Sequence, residues 1–271
     1  MKIGFQLSSL KKFIQTPDGV LDTFQKLRAI GYKWLQIQWV GEKVPHESVR
    51  DSLDKSGLIC TGTMDAYEEI AADIDGIITR NKLWRGEYAC ASVGVTGDTD
   101  ADAIKKLAAG LNNMAEKFSA AGMKFEIHPL FAAYAAGPDG TTPLERLWPL
   151  LDKRVLLQTD FYHIVRGGAD PAGVVEKYSG RIAEAHFKDF KSLDPSLDMR
   201  QSHSFDPLVQ GKFPVTPVGK GIVPWPEIIR ACLKLGVKYC FAEQEAWDEG
   251  EEPFGLMRES FEYLISQGLD S

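Results

Sequence analysis

The segment "AEAHFKDF", Ala183–Phe190, begins like a buried strand and ends on His186, Lys188 and Asp189. Charged side chains are rarely buried without a partner, so this strand needs an architecture that gathers such groups at strand ends. Working outward from it, short β-rich runs alternate with amphipathic stretches along the chain. Strands are expected at 2–7, 33–40, 58–64, 87–94, 124–130, 154–160, 181–189 and 238–245. Helices are expected at 19–31, 45–56, 100–122, 142–152, 171–179 and 225–236, with a helical region between the third and fourth strands and a last helix ending near 267.

Eight strands, each followed by a helical segment, predict an α/β chain folded as one TIM-type (β/α)8 barrel over residues 1–271. A doubly wound open sheet has a similar element order, but no strand is followed by G-x-G-x-x-G or a Walker loop. The connection 190–223 is long for a compact domain, and such loops are commonly functional. Following the seventh strand, it is expected at the catalytic mouth of the barrel, as a cover over substrate.

The composition is 44% hydrophobic and 25% charged, ordinary for a soluble globular protein. A net charge of −7 argues against a nucleic-acid partner. No stretch approaches the ~20 apolar residues of a membrane span, and the amino-terminal run is too broken for a signal peptide. The four cysteines form no CxxC pair, which fits reduced core thiols and a cytoplasmic location.

In a barrel, residues of alternate parity face the interior, and chemistry collects at the carboxyl ends of the strands. Strand five ends with Glu126 and His128, strand six with Asp160 followed by His163, strand seven with His186, Lys188 and Asp189, strand eight with Glu243 and Glu245. Each has an ordinary alternative; Asp160, for instance, is well placed to cap the next helix. Four successive strand ends carrying compatible donors point instead to one divalent ion. Mn2+, Co2+ or Mg2+ suits a carboxylate-rich set; Zn2+ is possible but favours more His or Cys.

With these motifs in view, the chain resembles the xylose isomerase-like TIM barrels, in the branch of sugar or sugar-phosphate isomerases and epimerases. The likeness is carried by Glu126 in "FEIHP", by Asp160 and His163 in "TDFYHIV", by "HFKD", by "GKGIVPW" (Gly219–Trp225) and by Glu243 in "AEQE". It implies Glu126, Asp160, His186 and Glu243 as metal ligands, the two glutamates doubling as the acid/base pair, and His163 as a substrate contact. Phe131 stands where many relatives carry a glutamate, and Glu245 shares parity with Glu243.

The expected chemistry is removal of a proton beside the carbonyl of a keto or aldo sugar, with return of the proton elsewhere. His128, His163, Lys188, Trp34 and Trp247 are the candidate substrate contacts, the tryptophans because a sugar ring packs on aromatic faces. Lys188 either faces substrate or pairs with Asp189. The competing readings are a metal-dependent dehydratase of a keto-sugar or keto-inositol, a DNA-repair endonuclease on a related barrel, and a non-catalytic carbohydrate-binding barrel. A homo-oligomer is possible by resemblance.

Overall fold

The computed structural model describes residues 1–192, 211–247 and 250–271; most of the connection read as a cover, residues 193–210, lies outside them. The strands are β1 (Lys2–Gln6), β2 (Trp34–Ile37), β3 (Ile59–Ala66), β4 (Tyr88–Val93), β5 (Lys124–Pro129), β6 (Val155–Leu157), β7 (Thr159–Asp160), β8 (Glu184–Phe187), β9 (Asp189–Phe190), β10 (Val215–Thr216) and β11 (Tyr239–Ala242). Nine of them form one parallel sheet in the order β6-β5-β4-β3-β2-β1-β11-β8-β7. Because β6 and β7 are separated only by Gln158, they share one position, and the sheet curls into a nearly closed barrel with eight positions.

The helices pack on the outside, and their ends follow local chemistry. In Ala101–Ala120 the Asp100 carboxylate caps the Asp102 and Ala103 N–H groups. Its buried residues Ile104, Ala108, Leu111, Ala115 and Phe118 recur every three or four positions and face the sheet. Helix Trp225–Leu235 stops at Gly236, whose φ of 78° is the left-handed conformation that favours glycine. Among the described residues, no helix is long and apolar enough to cross a membrane.

The differences from the sequence reading are local. The expected strand 154–160 breaks at Gln158. The expected helix 142–152 is a short Pro143–Leu147 helix followed by a 3-10 turn at Trp148–Leu150, because Pro149 has no N–H to continue the ladder. The run 181–189 gives β8 and then β9, which leaves the barrel to pair antiparallel with β10.

That departure is anchored by Asp189. Its carboxylate accepts hydrogen bonds from the backbone N–H groups of Phe190, Gly219, Gly221 and Val223 at 2.9–3.2 Å, and from the Trp225 indole at 2.7 Å. The glycines of "GKGIVPW" are required here. Gly219 has φ +88°, and a Cβ on Gly221 would lie 2.1 Å from Asp189 Oδ1. Asp189 therefore organises the turn that starts the next helix, and its charge is answered by N–H donors rather than by Lys188.

Candidate metal centre and active site

The interior polar residues lie in two layers, two residues apart along each strand. The upper layer, at the carboxyl mouth, holds His128, Asp160, His186 and, just past β11, Glu243. His128 Nε2 and His163 Nε2 are each 3.6 Å from Asp160 Oδ2. His186 Nδ1 is 4.0 Å from the same oxygen and 2.8 Å from Glu243 Oε2. Two groups, His128–Asp160–His163 and Asp160–His186–Glu243, each bring their donor atoms within 4.8 Å of one another and share Asp160.

Asp160 caps the next helix, as its position suggested, and keeps a second oxygen free of that cap. Its Oδ1 caps helix Phe161–Arg166 through the Tyr162 and His163 N–H groups, while Oδ2 is buried with no hydrogen-bond partner. His128 Nε2, His186 Nδ1 and Glu243 Oε2 are likewise buried without an aligned partner; the short His186–Glu243 approach does not meet hydrogen-bond geometry. Buried polar atoms normally find partners. Asp160 Oδ2, His186 Nδ1 and Glu243 Oε2, all orphaned and within 4.8 Å of one another, fit a divalent cation, with His128 on the other side of the shared Asp160.

The electrostatics agree. Burial alone would lower the His186 pKa and raise those of Glu243 and Asp160. Glu243 instead raises His186; Lys188 and His186 hold Glu243 well below the usual carboxylate range; and His128 with the positive charge of Lys188 lowers Asp160. Burial depresses His163 to about 3, so it stays neutral. Lys188 Nζ lies 3.3 Å from Glu243 and also pairs with Glu245. Burial would lower its pKa, but those carboxylates raise it well above normal, so it is a fixed positive charge.

Glu126 is not in this cluster. Along β5 it pairs with Leu156 and Cys90, whereas His128 lies one full side-chain repeat nearer the mouth, beside Ser92. Glu126 belongs to the lower layer, where Gln158 donates to both Glu126 Oε2 and Glu184 Oε2, at 3.1 and 3.0 Å. In the same layer Gln6 donates to Gln36 Oε1, which also lies 2.6 Å from His186 Nε2. The Gln36 carbonyl thereby selects the His186 tautomer with hydrogen on Nε2, leaving Nδ1 to face the cluster.

The expected tryptophans are divided. Trp34 sits at the amino end of β2, against the Tyr239 ring and under Lys2; it lies at the far end of the barrel from the cluster, because the strand runs mouthward from it. Trp247 follows β11 on the mouth side and packs beside Phe13, 6.3 Å between ring centroids. Gln36, Gln158 and Glu184 were not among the candidates. The signal was their parity with Gln38, Asp160 and His186, two positions on.

Glu126 and Glu184 are both fully buried. Burial, then their mutual repulsion, raises Glu126 well above a normal carboxylate, and burial raises Glu184 to about 7. A folded value above the unfolded value makes this contribution to stability complete below about pH 4.5 and progressively lost as pH rises through about 7. The Glu184 shift from 4.5 to about 7 corresponds to about 3 kcal/mol. Glu184→Gln should flatten the fall in denaturation free energy across this window at fixed metal concentration. An unchanged slope would show that Glu184 does not titrate in this window.

Against this geometry, residues 64–267 match the family model of the xylose isomerase-like TIM barrel, and the chain belongs to that family. Inosose dehydratase of Lacticaseibacillus casei is 26% identical over 165 residues, covering 60% of this chain and 54% of the relative; the match thus spans about half the relative's length. A solved sugar phosphate isomerase/epimerase from Parabacteroides distasonis superposes with a TM-score of 0.77 at 18% identity, over 97% of each chain. The solved IOLI protein with a bound zinc atom gives a TM-score of 0.74 at 14% identity, over 98% of each chain. At these identities the structural likenesses concern the fold.

Proposed function

We propose that the protein is a divalent-metal-dependent enzyme that dehydrates a keto-sugar or keto-cyclitol, removing the proton beside the carbonyl and expelling a β-hydroxyl. The observation that supports this reading is that, of the two glutamates expected as an acid/base pair, Glu243 stands at the cluster while Glu126 lies beneath it with Gln158 and Glu184. Epimerisation by two glutamates on opposite faces of a carbon needs both at the substrate. One base suffices for elimination.

His128, Asp160, His186 and Glu243 would hold the ion, with His163 beside Asp160. Two imidazoles and two carboxylates suit borderline ions such as Mn2+, Co2+ or Zn2+ better than the carboxylate-rich set expected from the sequence. When bound, the ion would polarise the substrate carbonyl and stabilise negative charge developing on its oxygen.

The chain's own groups do the rest. Glu243 takes the α-proton; the C–H electron pair enters the enolate, then forms the new C=C bond as the β-hydroxyl leaves. Protonated Glu243 returns the proton to that hydroxyl, which departs as water. Lys188 contributes fixed positive charge near the developing anion, and neutral His163 is available to hydrogen-bond substrate. The inosose dehydratase relatives support a keto-cyclitol as the first substrate to try. A single base can also return its proton to a neighbouring carbon, and the structural likeness to a sugar phosphate isomerase/epimerase keeps isomerisation as the second reading.

Product mass separates the two: dehydration loses one water, isomerisation conserves mass. Chelator-treated protein should lose activity and recover it with Mn2+, Co2+ or Zn2+, and added ion should raise the melting temperature by mass action. Full turnover in metal-free protein would exclude this mechanism.

A further inference from the structure

A cavity of about 660 Å3 opens between the segments that follow β2 and β3, lined by Gln38, Trp39, Asp65, Arg80 and Trp84 but by none of the cluster residues. Its volume lies within the ~300–1,000 Å3 usual for ligand pockets. We propose that it binds a neutral polyhydroxylated ring, a sugar or cyclitol, separately from the metal centre.

Four observations carry this. Gln38 lines the cavity and is 7% exposed, and its Oε1 is buried without a hydrogen-bond partner; a turn of the amide toward the cavity would let a hydroxyl donor satisfy it, whereas an apolar ligand would leave it orphaned. Trp39 leaves half of its surface exposed, a large aromatic face of the kind on which the C–H face of a sugar packs.

That face is also held in place. Trp39 has φ +57°, a conformation costly for a bulky side chain. Its carbonyl accepts from Gln15 Nε2, and Lys11 Nζ sits 4.7 Å from its ring centroid. Two residues on, Gly41 donates to Ile14 O; a Cβ there would come within 2.8 Å of the Gln15 backbone, so only glycine permits this approach. The loop is therefore fastened to the segment after β1, with the indole kept outward.

The charge pattern selects a neutral ligand. Lys11, Lys43 and Arg80 are matched by Glu42, Asp65 and Glu69 around the cavity. Asp65 and Arg80 already pair at 2.6 Å, with side chains 13% and 19% exposed. A paired carboxylate and guanidinium retain lone pairs and N–H groups for hydroxyls, but offer no unbalanced positive field for a phosphate.

The site does not depend on the reaction at the cluster. The test therefore uses probes without a carbonyl, myo-inositol and methyl β-D-glucopyranoside, observed by saturation-transfer NMR and by titration of tryptophan fluorescence. Both should bind the wild type weakly, with Kd on the order of 1 mM. Trp39→Ala should weaken binding about tenfold or more, and Gln38→Leu several-fold. Asp160→Asn, at the metal centre, should leave it within about twofold. Thermal melts verify that each variant is folded; Trp39→Phe, which keeps an aromatic face, should restore most of the affinity. Absence of binding by either probe, or binding lost in Asp160→Asn and kept in Trp39→Ala, would overturn the proposal.

Discussion

Glu243→Gln is expected to lower kcat by a factor of ~10²–10⁴, the range for losing a general base, while Glu126→Gln changes kcat by less than about tenfold. Glutamine keeps the length of glutamate and one carbonyl oxygen, but cannot take a proton near neutral pH. Glu243 Oε2 is buried, unpartnered and 2.8 Å from His186 Nδ1, and Lys188 holds the carboxylate ionised. Glu126 is fully buried and bonded to Gln158. Exchange of solvent deuterium into the α-carbon should fall with kcat in Glu243→Gln and persist in Glu126→Gln. If Glu126→Gln were the inactive enzyme, the two-layer assignment of the barrel interior would be wrong.

The second large effect is on stability. Asp189→Ala is expected to destabilise the fold by at least ~4 kcal/mol, because it removes a buried charged acceptor and strands donors that each cost roughly 1–3 kcal/mol unpaired. Those donors are four backbone N–H groups and the Trp225 indole, whose ring is fully buried and stacked on Phe187. At roughly 2–4 °C per kcal/mol for a chain of this size, the melting temperature should drop by ~8–16 °C. Asp189→Asn, which keeps one acceptor oxygen, should lose less. A change below about 1 kcal/mol in Asp189→Ala would show that the turn at Gly219–Trp225 holds without it.

The barrel was legible because its signal is repetitive. Alternation of β-rich runs with helical runs survives errors at any one boundary, and all eight strand positions lie where the periodicity put them. The site was legible only as a neighbourhood. Asp160, His186 and Glu243 share one layer, but strand five offers Glu126 and His128 at the same parity. Parity fixes the face of a strand and leaves the depth open. Depth depends on how β5 is staggered against β4 and β6, a property of inter-strand pairing that no residue in "FEIHP" encodes alone. Trp34 failed for a related reason: it lies near a strand end, but the amino end. The partner of Lys188 was ambiguous because Asp189 is adjacent in sequence, yet successive residues of an extended chain point to opposite sides. Lys188 faces Glu243, and Asp189 faces the following turn.

The short pairing of β9 with β10 has a further consequence for how this mouth can diversify. Lys191 N–H donates to Pro214 O, and Ile222 N–H donates to Phe190 O, so the chain leaves and re-enters the barrel rim through adjacent, hydrogen-bonded points. An excursion inserted between fixed neighbouring ends pays mainly the entropy of closing a loop, which grows logarithmically: each doubling of its length adds only about 0.6 kcal/mol. With Asp189 and the Gly219–Trp225 turn holding the frame, the excursion can be exchanged for one of different length or sequence with little effect on the barrel beneath. The rim is thus a graft point where the inserted sequence can change while the hydrogen-bonded frame around it stays where it is.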